Sequence, residues 1–404
     1  MKVKIEKGPA KGSITAPPSK SMAHRLLISA AMCDGVSVIR GISNCEDVAA
    51  TLDCLDALGI KTERLGDDVT VYGCNFRNVK PKGPLMCRES GSTLRFMIPA
   101  VTLCGQTAVF YASERLMQRP MSVYEKLFHD KSLTYICDGT SIVVRGPLSG
   151  GEYNLVGNVS SQFISGLIFA LPLVSCDSII KIAPPIESRS YINLTISAVK
   201  KFGISVFWED EYTIRIPGNQ SYKPTDITVE GDYSGSAFPD ALNLFGGAVE
   251  VFGLNPESIQ GDSIYKRYFE MLSSGVPTIH IGDCPDLGPI LFAIAAAKYG
   301  GVFSGTKRLK IKESDRAEAM ATELKKFGTS VSVYEDSVVV YPAEFHAPKD
   351  VLFGHNDHRI VMSLAILLTL TGGKIEGAEA VSKSYPDFFE NLSSLGIGVS
   401  KYDS

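Results

Sequence analysis

The feature that most constrains this chain is an internal repeat. A helix-patterned stretch runs into a Leu-Gly or Phe-Gly stop, and a short alternating strand, a polar turn and a second strand follow. Residues 51–72 read this way through Leu58-Gly59-Ile60, and residues 195–216 through Phe202-Gly203-Ile204. Residues 321–341 repeat it through Phe327-Gly328 and residues 388–402 through Leu395-Gly396-Ile397, with weaker copies at 123–145 and 268–281. Glycine after the last helical turn supplies the left-handed backbone that lets the chain reverse. About six helix-strand-strand units, roughly 50 to 70 residues apart, predict an α/β (α+β) protein with mixed sheets that divides into two groups of three. A boundary is expected in the polar, turn-rich stretch from Pro217 to Pro224.

Composition narrows the function classes. At 404 residues and 45% hydrophobic, the chain has enough apolar surface for two cores. Its net charge of −4 disfavours nucleic acid or an anionic membrane as a general partner. Nine scattered cysteines without a Cys-x-x-Cys pair read as reduced, mostly buried thiols of a cytosolic protein. The longest apolar stretches, residues 163–174 and 360–370, are shorter than the roughly 20 residues a membrane helix needs, so a soluble chain is expected.

The loops before the helices carry the chemistry. Pro17-Pro18-Ser19-Lys20-Ser21-Met22-Ala23-His24-Arg25 ends an extended segment and opens a helix, where free N–H groups and the dipole favour an anion near Lys20, Ser21 and Arg25. Taken alone, a serine cap among solvated charges accounts for it equally well. Ser19-Lys20-Ser21 recurs as Ser188-Arg189-Ser190 and Ser382-Lys383-Ser384, copies expected at matching repeat positions. Hydroxyl-rich starts without the cation stand at Ser90-Gly91-Ser92-Thr93, Ser160-Ser161-Gln162 and Ser234-Gly235-Ser236.

The densest cluster is Lys310-Ile311-Lys312-Glu313-Ser314-Asp315-Arg316, with Ser314 the expected cap, Lys312 and Glu313 on the loop and Arg316 in the first turn. Glu313 between two cations is suited to proton transfer, while a solvated helix start is the plain alternative. His355-Asn356-Asp357-His358-Arg359 precedes another helix, with Asn356 or Asp357 as cap. Its two histidines lack a third ligand for zinc, and His358 and Arg359 read as hydrogen-bond donors to an anion. Asp286 is either a cap or a general base. No Gly-x-x-x-x-Gly-Lys-(Ser/Thr) loop, Gly-x-Gly-x-x-Gly fingerprint or nucleophile elbow occurs.

Ser19-Lys20-Ser21 with Arg25, Ser90-Gly91-Ser92-Thr93-Leu94-Arg95, Gln118-Arg119-Pro120, Ser160-Ser161-Gln162, Ser188 to Tyr191, Asp286, Lys312 to Arg316, Asn356 to Arg359 and Lys383 stand in a specific order. As an ordered set they resemble the 5-enolpyruvylshikimate-3-phosphate synthases, enolpyruvyl transferases of the shikimate pathway and the target of glyphosate, across nearly the whole chain. The resemblance implies two similar inside-out α/β domains, each of three repeats, joined by a two-strand hinge over a cleft. One domain would span residues 19–221, and a discontinuous second domain residues 1–18 and 222–404.

The implied reaction joins phosphoenolpyruvate to the 5-hydroxyl of shikimate 3-phosphate and releases phosphate through a tetrahedral intermediate. The resemblance places Ser160, Ser161, Ser188 and Lys312 on the sugar phosphate, with Gln162 and Asp286 beside that substrate, and Ser21 and Arg25 on its carboxylate. It places phosphoenolpyruvate among Lys20, Gly91, Arg119, Gln162, Arg316, Arg359 and Lys383. Asp286 is the implied base for the hydroxyl, and Glu313, with Lys20 and Lys383, the implied acid for the methylene carbon. No metal or organic cofactor, no nucleic acid and no membrane is implied, and the expected protein is a cytoplasmic monomer.

Seven of these side chains are cations and two are carboxylates, a local balance of +5 that suits two anionic substrates. Glu89 before Ser90-Gly91 and Phe96 after Arg95 depart from the family pattern without removing a charged position. The alternatives are a UDP-N-acetylglucosamine enolpyruvyl transferase, whose pattern has Lys-Asn where this chain has Lys20-Ser21, and a catalytically silent phosphosugar-binding paralogue.

Overall fold

In the computed structural model, which describes residues 1–402, the repeat takes the form of six small sheets. Five have four strands in one pattern, a parallel pair followed by two antiparallel neighbours, and in four of them the last two strands form a hairpin. Leu85–Met86, Thr107–Tyr111, Ser141–Arg145 and Thr134–Cys137 are one such sheet in spatial order. A parallel pair needs a crossover, and here it is the helix Gly91–Thr102. A second helix, Ser122–Asp130, leads into the hairpin. The whole repeat is therefore strand, inner helix, strand, outer helix, hairpin. Only its second half, from outer helix to hairpin, carries a local sequence pattern.

The outer helices end as their glycines require. Gly59, Gly203, Gly328 and Gly396 have φ of 81°, 79°, 89° and 87°, a region open to glycine and costly for other residues. In the weaker copy at 123–145 Ser132 takes the same place with φ 53°, which explains why the pattern fades there. The copy at 268–281 is not a full unit. Its helix Tyr265–Ser274 leads straight to Thr278–His280, the first strand of the next sheet, so the sheet before it keeps only the parallel pair Lys11–Thr15 and Ala248–Phe252.

The chain forms two compact units, Lys20–Glu230 and Met1–Ser19 with Gly231–Ser404. The expected boundary at residue 221 falls too early, because Ile227–Thr228 pairs in parallel with Gly35–Arg40 and completes the first sheet of the unit Lys20–Glu230. In the other unit Lys2–Ile5 lies between Gly373–Glu376 and Val399–Lys401. Two of the five four-stranded sheets are thus closed by strands distant in sequence.

Each unit has its own apolar core. The inner helices Lys20–Ala31, Gly91–Thr102 and Ser161–Ala170 are buried on nearly every side in one unit, as are Tyr233–Ala241, Gly288–Ala297 and His358–Thr371 in the other. Such helices are mostly apolar on every side, and the charged groups they bury, Arg25, Arg95 and Arg359 among them, lie in their first two turns. Among the described residues no helix is long and apolar enough to cross a membrane. All nine cysteines are free and five are buried, consistent with thiols that serve as small apolar side chains.

Candidate active site

The site residues predicted from sequence cluster at helix N-termini within each unit. In the unit Lys20–Glu230, Lys20 opens its helix and donates from Nζ to Asp47 Oδ2 at 2.7 Å. One turn on, Arg25 is almost wholly buried, with Nε donating to Thr195 Oγ1 at 2.7 Å and its two terminal nitrogens to the carbonyls of Ser21 and Tyr191. Its guanidinium lies over the Phe96 ring at 5.0 Å, so the unusual Phe96 supports a cation. Burial lowers the Arg25 pKa to about 9, with Tyr191 opposing; the group is charged at neutral pH.

Ser90 caps Gly91–Thr102, accepting from Thr93 N, and Ser160 caps Ser161–Ala170, accepting from Gln162 N. Gln162 is fixed at both ends of its amide: Arg95 donates to Oε1 at 2.7 Å, and Nε2 donates to Ser92 Oγ at 2.9 Å. A Cβ on Gly91 would stand 3.1 Å from an Arg95 terminal nitrogen and 3.2 Å from that of Arg119. Glycine thus lets two guanidinium groups approach the backbone at a helix N-terminus, an anion site in its elements. Ser188, also buried, precedes its helix with a left-handed backbone of φ 56° and makes no capping bond.

Behind this loop runs a buried chain absent from the sequence reading. His24 Nδ1 lies 2.8 Å from Thr51 Oγ1, which lies 2.7 Å from Thr93 Oγ1, which donates to Ser90 Oγ at 2.7 Å. Burial, reinforced by Lys20 and Arg25, pushes the His24 pKa well down, so the ring is neutral.

In the other unit the charges interlock. Asp286 Oδ1 accepts from Lys312 Nζ at 3.1 Å and Arg316 at 2.7 Å, and Oδ2 lies 3.8 Å from Arg359. Arg316, 1% exposed, also donates to Glu313 at 2.8 Å and to Asp357 Oδ2 at 2.8 Å. Burial alone would raise the Asp286 pKa, but Lys312, Arg316 and Arg359 outweigh it and hold the carboxyl well below its ordinary value. Burial, with repulsion from Arg316 and Arg308, brings Lys312 down to about 8 against the attraction of Asp286 and Glu313. Arg359 donates to the Ser234 carbonyl at 3.0 Å, and Lys383 to the Asn356 carbonyl at 2.6 Å.

Several expectations need correction. Asp315, not Ser314, caps the helix Arg316–Lys325; Ser314 instead donates to Asp357 at 3.0 Å. Of the two residues offered as cap for His358–Thr371, Asp357 fills the role. Asp286 caps nothing, since its carboxylate is spent on cations. The three Ser-(Lys/Arg)-Ser copies do not stand at matching repeat positions. Lys20 opens an inner helix, Arg189 an outer one, and Lys383 ends a short 3-10 stretch before another outer helix. Asp47 and Asp357, missing from the sequence count, each pair with one of its cations, Lys20 and Arg316, and Arg95, also missing from it, adds a cation beside Gly91. Among the described residues no group of three or more His, Cys, Asp or Glu side chains could hold a metal ion.

Comparison with known proteins bears on the chain as a whole. The sequence profile of the family described as EPSP synthase (3-phosphoshikimate 1-carboxyvinyltransferase) matches residues 5–274 and 270–392. A 3-phosphoshikimate 1-carboxyvinyltransferase of Clostridium kluyveri is 37% identical over 422 aligned positions, covering 99% of this chain and 98% of that protein. One from Clostridium perfringens is 37% identical over 419 positions, with 98% of each covered. In fold, the chain is similar to EPSP synthase from Acinetobacter baumannii (TM-score 0.81, 22% identity, all of both chains). It is also similar to the enolpyruvyl transferase NikO from Streptomyces tendae (TM-score 0.76, 14% identity, 99% of this chain and 98% of that one). With its α/β repeats in two units and a profile match over most of its length, the chain belongs to the EPSP synthase family of enolpyruvyl transferases.

Proposed function

We propose that this chain carries out the reaction in its family's name, transferring the enolpyruvyl group of phosphoenolpyruvate to the 5-hydroxyl of shikimate 3-phosphate and releasing phosphate. The observation that carries the reading is the interlocked set Asp286, Lys312, Glu313, Arg316, Asp357 and Arg359, in which two carboxylates that can move protons sit among cations that can hold phosphate. Lys312, with Ser160, Ser161 and Ser188, takes the sugar phosphate, Ser21 and Arg25 the shikimate carboxylate, and Gln162 and Lys20 approach both substrates. Lys20, Gly91, Arg119, Gln162, Arg316, Arg359 and Lys383 receive phosphoenolpyruvate.

Asp286 takes the hydroxyl proton as that oxygen bonds to the central carbon of phosphoenolpyruvate. Glu313, supported by Lys20 and Lys383, gives a proton to the methylene carbon. In the second half the bond between the central carbon and the phosphate's bridging oxygen breaks, the methyl carbon returns a proton to Glu313 as the C=C bond re-forms, and the enol ether and phosphate leave. Asp286 is a weak base while three cations hold it. Anionic substrates that draw on Lys312, Arg316 and Arg359 raise its proton affinity, so the base strengthens when there is a hydroxyl to act on.

The reading includes a monomer in the cytoplasm that needs no nucleic acid, metal or organic cofactor. The net charge of −4 supports the absence of a polyanion-binding surface. Phosphate release by the purified protein from phosphoenolpyruvate tests the reaction, with shikimate 3-phosphate or UDP-N-acetylglucosamine as acceptor. Release only with shikimate 3-phosphate bears it out. Release only with the nucleotide sugar moves the acceptor, and release with neither leaves a silent binding protein.

A further inference from the structure

Two consecutive residues just before the cap Asp357 have left-handed backbone: His355 with φ 50° and Asn356 with φ 52°. Neither is glycine, and such a pair persists only where the surroundings hold it. The helix Arg316–Lys325 does so at two points. At its first residue Arg316 donates to Asp357 Oδ2. Two turns on, roughly 10 Å along the axis, Glu323 accepts from His355 Nε2 at 2.9 Å and from Phe353 N at 3.0 Å. Lys326 Nζ adds a third donor to Glu323 at 2.9 Å, and the Phe353 ring packs edge-on against His355, centroids 5.0 Å apart.

Glu323 is 1% exposed, and a carboxylate is costly at such depth unless donors surround it. Burial would raise its pKa, but His355, Lys326 and the Phe353 amide hold it below the ordinary value. The segment so gripped bears three groups of the charge cluster. The Asn356 carbonyl receives Lys383, Asp357 receives Arg316, and Arg359 lies in the turn that Asp357 caps.

We propose that Glu323 and His355 are positioning residues for the phosphoenolpyruvate half of the site, a clamp that keeps the turn at residues 355–356 left-handed so that Lys383, Arg316 and Arg359 stay aligned. The inference rests on the reading of those three cations as phosphoenolpyruvate ligands. A plain strut between helix and loop would affect stability alone.

The test is steady-state kinetics on His355→Asn, His355→Gln, Glu323→Gln and the His355→Asn/Glu323→Gln double variant, normalised to folded protein by circular dichroism. Asparagine tolerates the left-handed backbone but is too short to reach Glu323. His355→Asn is expected to lower kcat/KM for phosphoenolpyruvate by about tenfold, with a smaller change for shikimate 3-phosphate. His355→Gln, which can still donate, should recover much of the loss, and the double variant should be little worse than either single one. Unchanged kcat/KM per folded molecule in His355→Asn overturns the clamp, even if the melting temperature falls. So does a loss shared equally between the substrates. Lys383→Met separates the two claims: if it is inactive while His355→Asn is normal, only the clamp fails, and if it keeps its activity the reading of the site fails.

Discussion

Lys312 is a site group whose charge changes within the range of an ordinary pH profile. With its pKa brought down to about 8, chiefly by burial, it is protonated below that pH and neutral above it. Between pH 7 and pH 9 the charged fraction in the free protein falls from about nine-tenths to about one-tenth. If Lys312 holds the phosphate of shikimate 3-phosphate, the bound lysine is stabilised as ammonium, and affinity falls by up to about tenfold, ~1.4 kcal/mol, for each pH unit above 8. The phosphate itself is fully ionised by then, its second pKa being near 6, so the inflection belongs to the protein.

Two variants identify that inflection. Lys312→Arg keeps the charge at every accessible pH and should flatten the profile. Asp286→Asn removes a carboxylate 3.1 Å from Nζ that favours the ammonium form, so the inflection should move down, by about one pH unit or more at an effective dielectric near 20. Isothermal titration calorimetry from pH 6.5 to 9.5 measures all three. Affinity that stays flat across this range, or an inflection that survives Lys312→Arg, would refute the assignment of Lys312 to the phosphate.

Three other outcomes are expected. Lys20→Met should lower turnover on the order of a hundredfold or more while circular dichroism reports an unchanged fold, because the side chain is partly exposed at a helix start and its ion pair with Asp47 lies outside the apolar core. Gly91→Ala pushes a methyl to 3.1 Å from the Arg95 nitrogen that donates to Gln162 and 3.2 Å from Arg119, so both guanidinium groups must shift and KM for phosphoenolpyruvate should rise severalfold with a smaller change in kcat, measured by initial rates. Ser132→Gly relieves the left-handed serine that ends Ser122–Asp130 and should stabilise the fold by about 0.5–1 kcal/mol in urea unfolding, with activity unchanged.

What could be read in the sequence follows from how each feature is encoded. Outer helices such as Arg189–Lys201 show one apolar face to the core and end in a glycine, so period and stop are both local signals. Inner helices such as Gly288–Ala297 are apolar all round and carry no period, and they vanished from the repeat although they form its middle. The cations were legible for the same reason as the outer helices, since Lys20, Arg316 and Arg359 sit beside hydroxyls and acids at helix starts.

Their partners were not. Asp357 reads locally as a cap and serves as one, yet the same carboxylate binds Arg316, a residue 41 positions earlier; Asp47 and Lys20 are 27 apart. No local pattern distinguishes a carboxylate that only caps from one that also neutralises a buried guanidinium. The distinction matters for function, because Arg316 is held by three carboxylates, two of them proposed to move protons. Asp357 alone is left to keep the guanidinium in place when Asp286 and Glu313 change charge. Asp357 takes no part in the proposed proton transfer, and at the capping position, wholly buried and bonded to Arg316 and the backbone N–H of Arg359, it anchors the guanidinium while its other two partners react.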